Sequence, residues 1–146
     1  VSKDYKEYPP KLVLVQGDTS SAFVGALAAY QENIPIGHVE AGLRTGNMFS
    51  PWPEEANRKL TANIAELHFA PTMNSSNNLL REGIPSKNIT VTGNTVIDAL
   101  FLALEKIDND NDYRARLSEQ FKFLNPEKKL ILITMRIITK NILLKA

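Results

Sequence analysis

The chain contains no cysteine, which excludes a disulfide, a thiolate nucleophile and a cysteine-held zinc. It has only two histidines, His38 and His68, on separate apolar runs. Without cysteine to help, that is too few for a metal centre, and His68 reads as a packed or capping side chain. Charge of one sign is also missing: 17 basic side chains face 16 acidic ones, a net +1. Nothing electrostatic therefore draws the chain to nucleic acid or to an anionic membrane. No apolar run approaches the roughly 20 residues of a membrane span. The opening Val1-Ser2-Lys3-Asp4-Tyr5-Lys6 is polar and charged, unlike a signal peptide, so the expectation is a cytoplasmic protein with no membrane partner. Three motifs are absent: G-x-G-x-x-G after a strand, G-x-x-x-x-G-K-[ST], and G-x-S-x-G. Nicotinamide hydride transfer, P-loop phosphate chemistry and a serine-hydrolase elbow lose their signatures with them. No cofactor is expected.

What is present is ordinary for a globular protein: 146 residues, 43% hydrophobic and 23% charged, enough for one domain. Residues 11–16 form a short run rich in β-formers, bounded by two prolines and Gly17. A run of this kind without polar alternation suits a strand buried on both faces. Asp18, Thr19 and Ser20 offer helix caps, and residues 21–31 follow as a small-residue helix. Residues 34–40 return as a strand. Pro53 then opens a helix at its first turn, with Glu54 and Glu55 where the helix dipole favours acids, and it runs to about residue 66. Residues 67–70 are the next strand. Thr72 caps a helix ending at Gly83, and residues 88–92 form a further strand. This alternation with short connections specifies an α/β fold, a parallel Rossmann-like sheet built from βαβ units. Beyond Asn94 the character changes. An apolar helix at 95–107, a polar break at 108–112, a charged helix at 113–123 and a strand at 128–134 follow. The expected division is 1–93 as the latter part of one Rossmann-like domain. Residues 94–146 are then interdomain helices and the first strand of a second, nucleotide-binding domain.

The chemistry-bearing residues gather where a parallel sheet binds its ligands, at the carboxyl ends of the strands. Asp18 follows the first strand, where helix capping and function read equally well. Glu40 ends an apolar strand and precedes Ala41-Gly42, with no cap to serve, and so points to function. One helical crossover separates the two, so both carboxylates can project into one crevice and supply an acid and a base. Glu54 and Arg58 stand four apart on one helix, as a surface ion pair or with Arg58 turned to an anionic group. Arg44 is either a phosphate arm or a loop arginine on the surface.

The segments Gln16-Gly17-Asp18-Thr19, His38-Val39-Glu40-Ala41-Gly42-Leu43-Arg44-Thr45 and Ser50-Pro51-Trp52-Pro53-Glu54-Glu55-Ala56-Asn57-Arg58 closely resemble the non-hydrolysing UDP-N-acetylglucosamine 2-epimerases, from about residue 10 to about residue 100. The resemblance implies a glycosyltransferase-B-type architecture, two Rossmann-like domains with a nucleotide sugar between them, acting as a homodimer. It implies interconversion of UDP-N-acetylglucosamine and UDP-N-acetylmannosamine, by elimination of UDP to a 2-acetamidoglucal and its re-addition. Asp18, Glu40 and Glu54 match the family's essential carboxylates; Arg58, Arg44 and His38 match its substrate-binding positions; no metal or redox cofactor is implied. The chain departs from the family in two places. Nothing before Val1 supplies the glycine-arginine loop, and Thr134-Met135-Arg136-Ile137-Ile138-Thr139-Lys140-Asn141 stands where a Thr-x-His-Arg-Arg-Glu-Asn segment belongs. Residues 128–146 hold no acidic residue, as in an out-of-frame tail. The expectation is an internal fragment, inactive by itself. A sugar transferase of the same fold and a non-catalytic remnant are the alternatives.

Overall fold

The computed structural model describes residues 2–125 and 127–133. They form two compact units, one up to Asn94 and one from Thr95 onward. The first contains α1 (Ser2–Glu7), β1 (Val13–Gln16), α2 (Ser20–Gln31), β2 (Ile36–Val39), α3 (Glu54–Ile64), β3 (Leu67–Ala70), α4 (Met73–Arg81) and β4 (Ile89–Val91). A 3-10 turn at Ser86–Asn88 leads into β4. The second contains α5 (Thr95–Asn109) and α6 (Asn111–Gln120).

The four strands make one sheet in the order β1-β2-β3-β4, and every neighbouring pair is parallel. The four strands expected in this region are therefore all present, in a parallel α/β sheet. Each is shorter than its apolar run, because only residues facing a partner are held: Val13 pairs with Ile36 and Gln16 with Val39. Every crossover steps the same way across the sheet, so the right-handed rule places α2, α3 and α4 on one face. That face carries the core. Val15 and Ile36 pack with Ala26, Ala29 and Ile34, where the alanines of α2 let the helix lie close to the strands. Leu79 of α4 meets Ala41 and Ala62 in a second cluster. Leu14, pointing the other way from β1, remains 60% exposed.

Helix ends follow local chemistry with two adjustments. Thr72 caps α4 as expected, its hydroxyl accepting from the Ser75 amide at 3.1 Å. Pro53 proves to be the N-cap of α3 rather than its first residue, so Glu54 and Glu55 form the opening turn. In the second unit the expected polar break contracts to a cap. Asp110 accepts the Tyr113 amide at 2.8 Å, and α5 runs unbroken to the residue before it. The α1 helix carries no signal in a sequence that is merely polar. Residues 128–133, expected with Thr134 as a strand, form none; Thr134 lies outside the described residues. Extended backbone becomes a strand only by pairing, and no described strand pairs with this segment. Among the described residues no helix is long and apolar enough to cross a membrane.

Candidate active site

Because the strands are parallel and adjacent, the residues after β1 and β2 emerge side by side on the ligand edge of the sheet. Helix α3 runs back toward β3, so its first turn lies at the same edge. Three devices fix Asp18 there. Thr19, not Asp18, caps α2, accepting the Ala22 amide at 3.2 Å. That leaves the Asp18 carboxylate to receive Arg58 Nη2 at 2.5 Å. The side-chain Nδ2 of Asn57, one residue earlier on α3, donates to the Asp18 main-chain oxygen at 2.9 Å.

Glu40 follows β2 with φ of 66°, left-handed backbone that a residue with a Cβ enters at a cost of about 1–2 kcal/mol. Its carboxylate reaches back over β1. An added Cβ on Gly17, itself at φ 74°, would lie 3.3 Å from Glu40 Oε2. Any side chain at position 17 would press on that carboxylate, so glycine keeps its place open. Among the described residues no side chain or amide donates to the Glu40 carboxylate. A strained backbone holding an uncommitted acid at the ligand edge is the pattern of a functional residue.

Arg58 does not pair with Glu54, as the four-residue spacing suggested. Its second nitrogen, Nη1, donates to Glu55 Oε2 at 3.2 Å. Glu55 is completely buried and also accepts the Thr45 and Gly46 amides at 3.2 Å. Glu54 is half-buried on the same turn. In the sequence, the one signal for a functional part of Glu55 is its three-residue spacing to Arg58, since such pairs face each other on a helix, and Asn57 carries none.

His38 and Arg44, expected to contact substrate, each have an intramolecular partner. His38 is fully buried beneath the edge and donates from Nε2 to the Gly17 carbonyl at 2.8 Å. Arg44 grips Glu82 with two bonds, Nε at 2.8 Å and Nη2 at 2.7 Å, and this clamp holds the Glu82 carboxyl below its ordinary range. Asn78 of α4 adds a bond to the Gly42 carbonyl at 2.9 Å. The loop after Glu40 is thus pinned along α4. A cleft of about 140 Å³ lies beside it, lined by Arg44, Gly46, Glu55, Lys59, Asn78, Arg81 and Glu82. Asp18, Glu40 and Glu54 are not part of that lining.

His68 stands opposite His38 in the β2–β3 register and is equally buried, with neither ring nitrogen bonded among the described residues. Burial, then the neighbouring His38, draw its pKa from 6.5 down to about 4. Burial lowers His38 too, against the opposing pull of the Gly17 carbonyl. The folded rings stay neutral where unfolded ones take up protons. Stability is therefore full above about pH 6.5 and falls on acidification toward the folded pKa, by at most about 1.4 kcal/mol per pH unit for each ring. Urea midpoints should decline between about pH 7 and pH 5, above the ordinary carboxylate range. A flat profile over that window would mean the rings are hydrated.

The parallel sheet with carboxylates and a guanidinium at its ligand edge defines a Rossmann-like α/β protein. The sequence profile of one family, UDP-N-acetylglucosamine 2-epimerase, matches residues 1–136, and the chain belongs to that family. It is 54% identical over 129 residues to the UDP-N-acetylglucosamine 2-epimerase of Yersinia pestis and 56% identical over 128 residues to that of Salmonella typhimurium. Each match covers 88% of this chain and 34% of the relative. Among solved structures, the UDP-GlcNAc 2-epimerase of Neisseria meningitidis bound to UDP-GlcNAc superposes with a TM-score of 0.84 at 49% identity, over 88% of this chain and 34% of that one. The enzyme of Methanocaldococcus jannaschii gives 0.75 at 42% identity, over 81% and 32%. The chain thus spans about a third of the length of the curated relatives it matches.

Proposed function

We propose that this segment supplies the acid–base side of a UDP-N-acetylglucosamine 2-epimerase site. The observation that carries the reading is the meeting, on one sheet edge, of Glu40 in left-handed backbone, Asp18 held by Arg58, and the first turn of α3 bearing Glu54. Inverting C2 of the sugar requires a base to remove its proton and an acid to return one to the opposite face. The C1–O bond to UDP breaks with its electron pair leaving on the diphosphate, and the C2–H bond gives its proton to a carboxylate. The resulting 2-acetamidoglucal is then protonated at C2 from the other side as UDP re-forms the C1–O bond. Glu40, Asp18 and Glu54 are the carboxylates available for these transfers and for charge at C1. Arg58 offers a guanidinium where the diphosphate departs. His38 and Arg44 serve the site indirectly, through Gly17 and the loop after Glu40.

Residues 1–133 exchanged for the matching third of the Neisseria meningitidis relative give a direct test. The chimera, incubated with UDP-N-acetylglucosamine, should generate the manno isomer in anomeric proton NMR, with deuterium entering C2 in heavy water. Release of UDP with sugar transfer and no C2 exchange would favour a transferase instead.

A further inference from the structure

Glu55 stands apart from the carboxylates discussed so far. It is completely buried, sits beside Glu54 at the start of α3, and its two oxygens are fully engaged. One side of it accepts the Thr45 and Gly46 amides; the other accepts Arg58, which in turn holds Asp18. A buried carboxylate without such partners would be strongly destabilising, and here the partners come from two separate places, the loop after β2 and α3 itself, with Arg58 carrying the link on to Asp18 after β1. Glu55 therefore ties together the loops that carry Glu40 and Asp18.

We propose that Glu55 is a positioning residue for the site. It anchors the Arg58 guanidinium independently of Asp18 and fixes the loop that follows Glu40. The consequence concerns the moment when Asp18 lets go. Arg58 bridges two carboxylates, one on the ligand edge and one buried. If a substrate group or a proton draws Asp18 away, Glu55 still fixes the guanidinium, so the cation does not swing with it. Asn57 completes the arrangement by gripping the Asp18 backbone from the same helix turn. Of the paired acids in Pro53-Glu54-Glu55, the second is the buried one that holds Arg58 and the loop after β2. The proposal rests on the reading of the edge as an active site, but its test requires no turnover.

The guanidinium protons of Arg58, followed by nitrogen-15 NMR in the 146-residue chain, report the anchor directly. In the unaltered chain they should exchange slowly and give resolved Nη signals. Asp18→Asn should leave them substantially protected, because the Glu55 bond remains. Glu55→Gln should speed their exchange by about tenfold or more, since a charge-assisted bond is lost, and the Thr45 and Gly46 amides should exchange faster with them. Glu55→Asp restores the charge and guards against a Gln variant that fails to fold; it should recover Arg58 protection at least in part. Two results would overturn the proposal. One is Arg58 exchange unaltered in both folded Glu55 variants. The other is protection lost in Asp18→Asn to the same extent as in Glu55→Gln, which would make Asp18 the sole anchor. Either result leaves the proposed reaction standing, and failure of the chimera to epimerise leaves the anchor standing.

Discussion

Gly42→Ala should remove a large part of the stability of the first unit. A Cβ at this position would lie 2.2 Å from the Ser75 carbonyl oxygen and 2.8 Å from its carbon, both backbone atoms of α4, and 3.0 Å from Leu79. Neither a side-chain rotation nor a small loop shift relieves a clash with helix backbone, so α4 must move off the sheet. Its neighbours oppose that movement: Leu79 is fully buried against Ala41 and Ala62, and Asn78 holds the Gly42 carbonyl itself. The backbone at φ 86° adds about 1–2 kcal/mol for any residue with a Cβ, and overpacking of a close contact adds about 1–3 kcal/mol. The expected loss is about 2–5 kcal/mol, against a typical total of about 5–15 kcal/mol for a domain. Denaturant titration of the variant should show a strongly lowered midpoint with an unchanged slope. A loss below about 1 kcal/mol would mean the loop does not lie on α4 in solution.

The same glycine shows how far the sequence could be read. Strand runs, their alternation with helices and the Thr72 cap are local signals, and each is legible from a few neighbouring residues. Parallel order followed from the spacing of the crossovers. What escaped was set by contacts distant in sequence. Arg58 reaches Asp18 across forty positions, and that contact, with Thr19 doing the capping, decides that Asp18 faces the ligand edge rather than closing a helix. The Gly42–Ser75 approach likewise depends on how α4 settles against the loop. Glu55 was hidden for a different reason. An acid in the first turn of a helix is so ordinary that only its burial, which no sequence displays, marks it out. For residues 128–133 the apolar, β-forming composition predicts a strand that the structure does not contain, because a strand exists only with a partner. The ligand-edge position of Glu40 was legible; its left-handed backbone was not, because nothing about a glutamate before Ala41-Gly42 announces it.

Glu40→Gln, placed in the chimera with the Neisseria meningitidis relative, should lower kcat by about 10³-fold while leaving KM within a few-fold of its starting value. Glutamine preserves the shape of the side chain but cannot accept a proton at the working pH. Nothing in the fold has to readjust: among the described residues no donor to this carboxylate is lost, and the strained backbone treats the two side chains alike. Thermal stability should therefore stay the same. Asp18→Asn provides the contrast, since it removes the charge that Arg58 grips and so should lower both stability and turnover. Solvent exchange at C2 separates proton transfer from binding. With Glu40 as the base, the Gln variant still binds the UDP-sugar but incorporates deuterium at C2 slowly, in step with its lost turnover. If it instead kept activity within about tenfold of the parent, Glu40 would be a loop-shaping residue, and the proton-transfer role would pass to Asp18 or Glu54. Rapid C2 exchange with slow net inversion would give a different result again: Glu40 would then act after proton removal, returning a proton to the opposite face of the sugar.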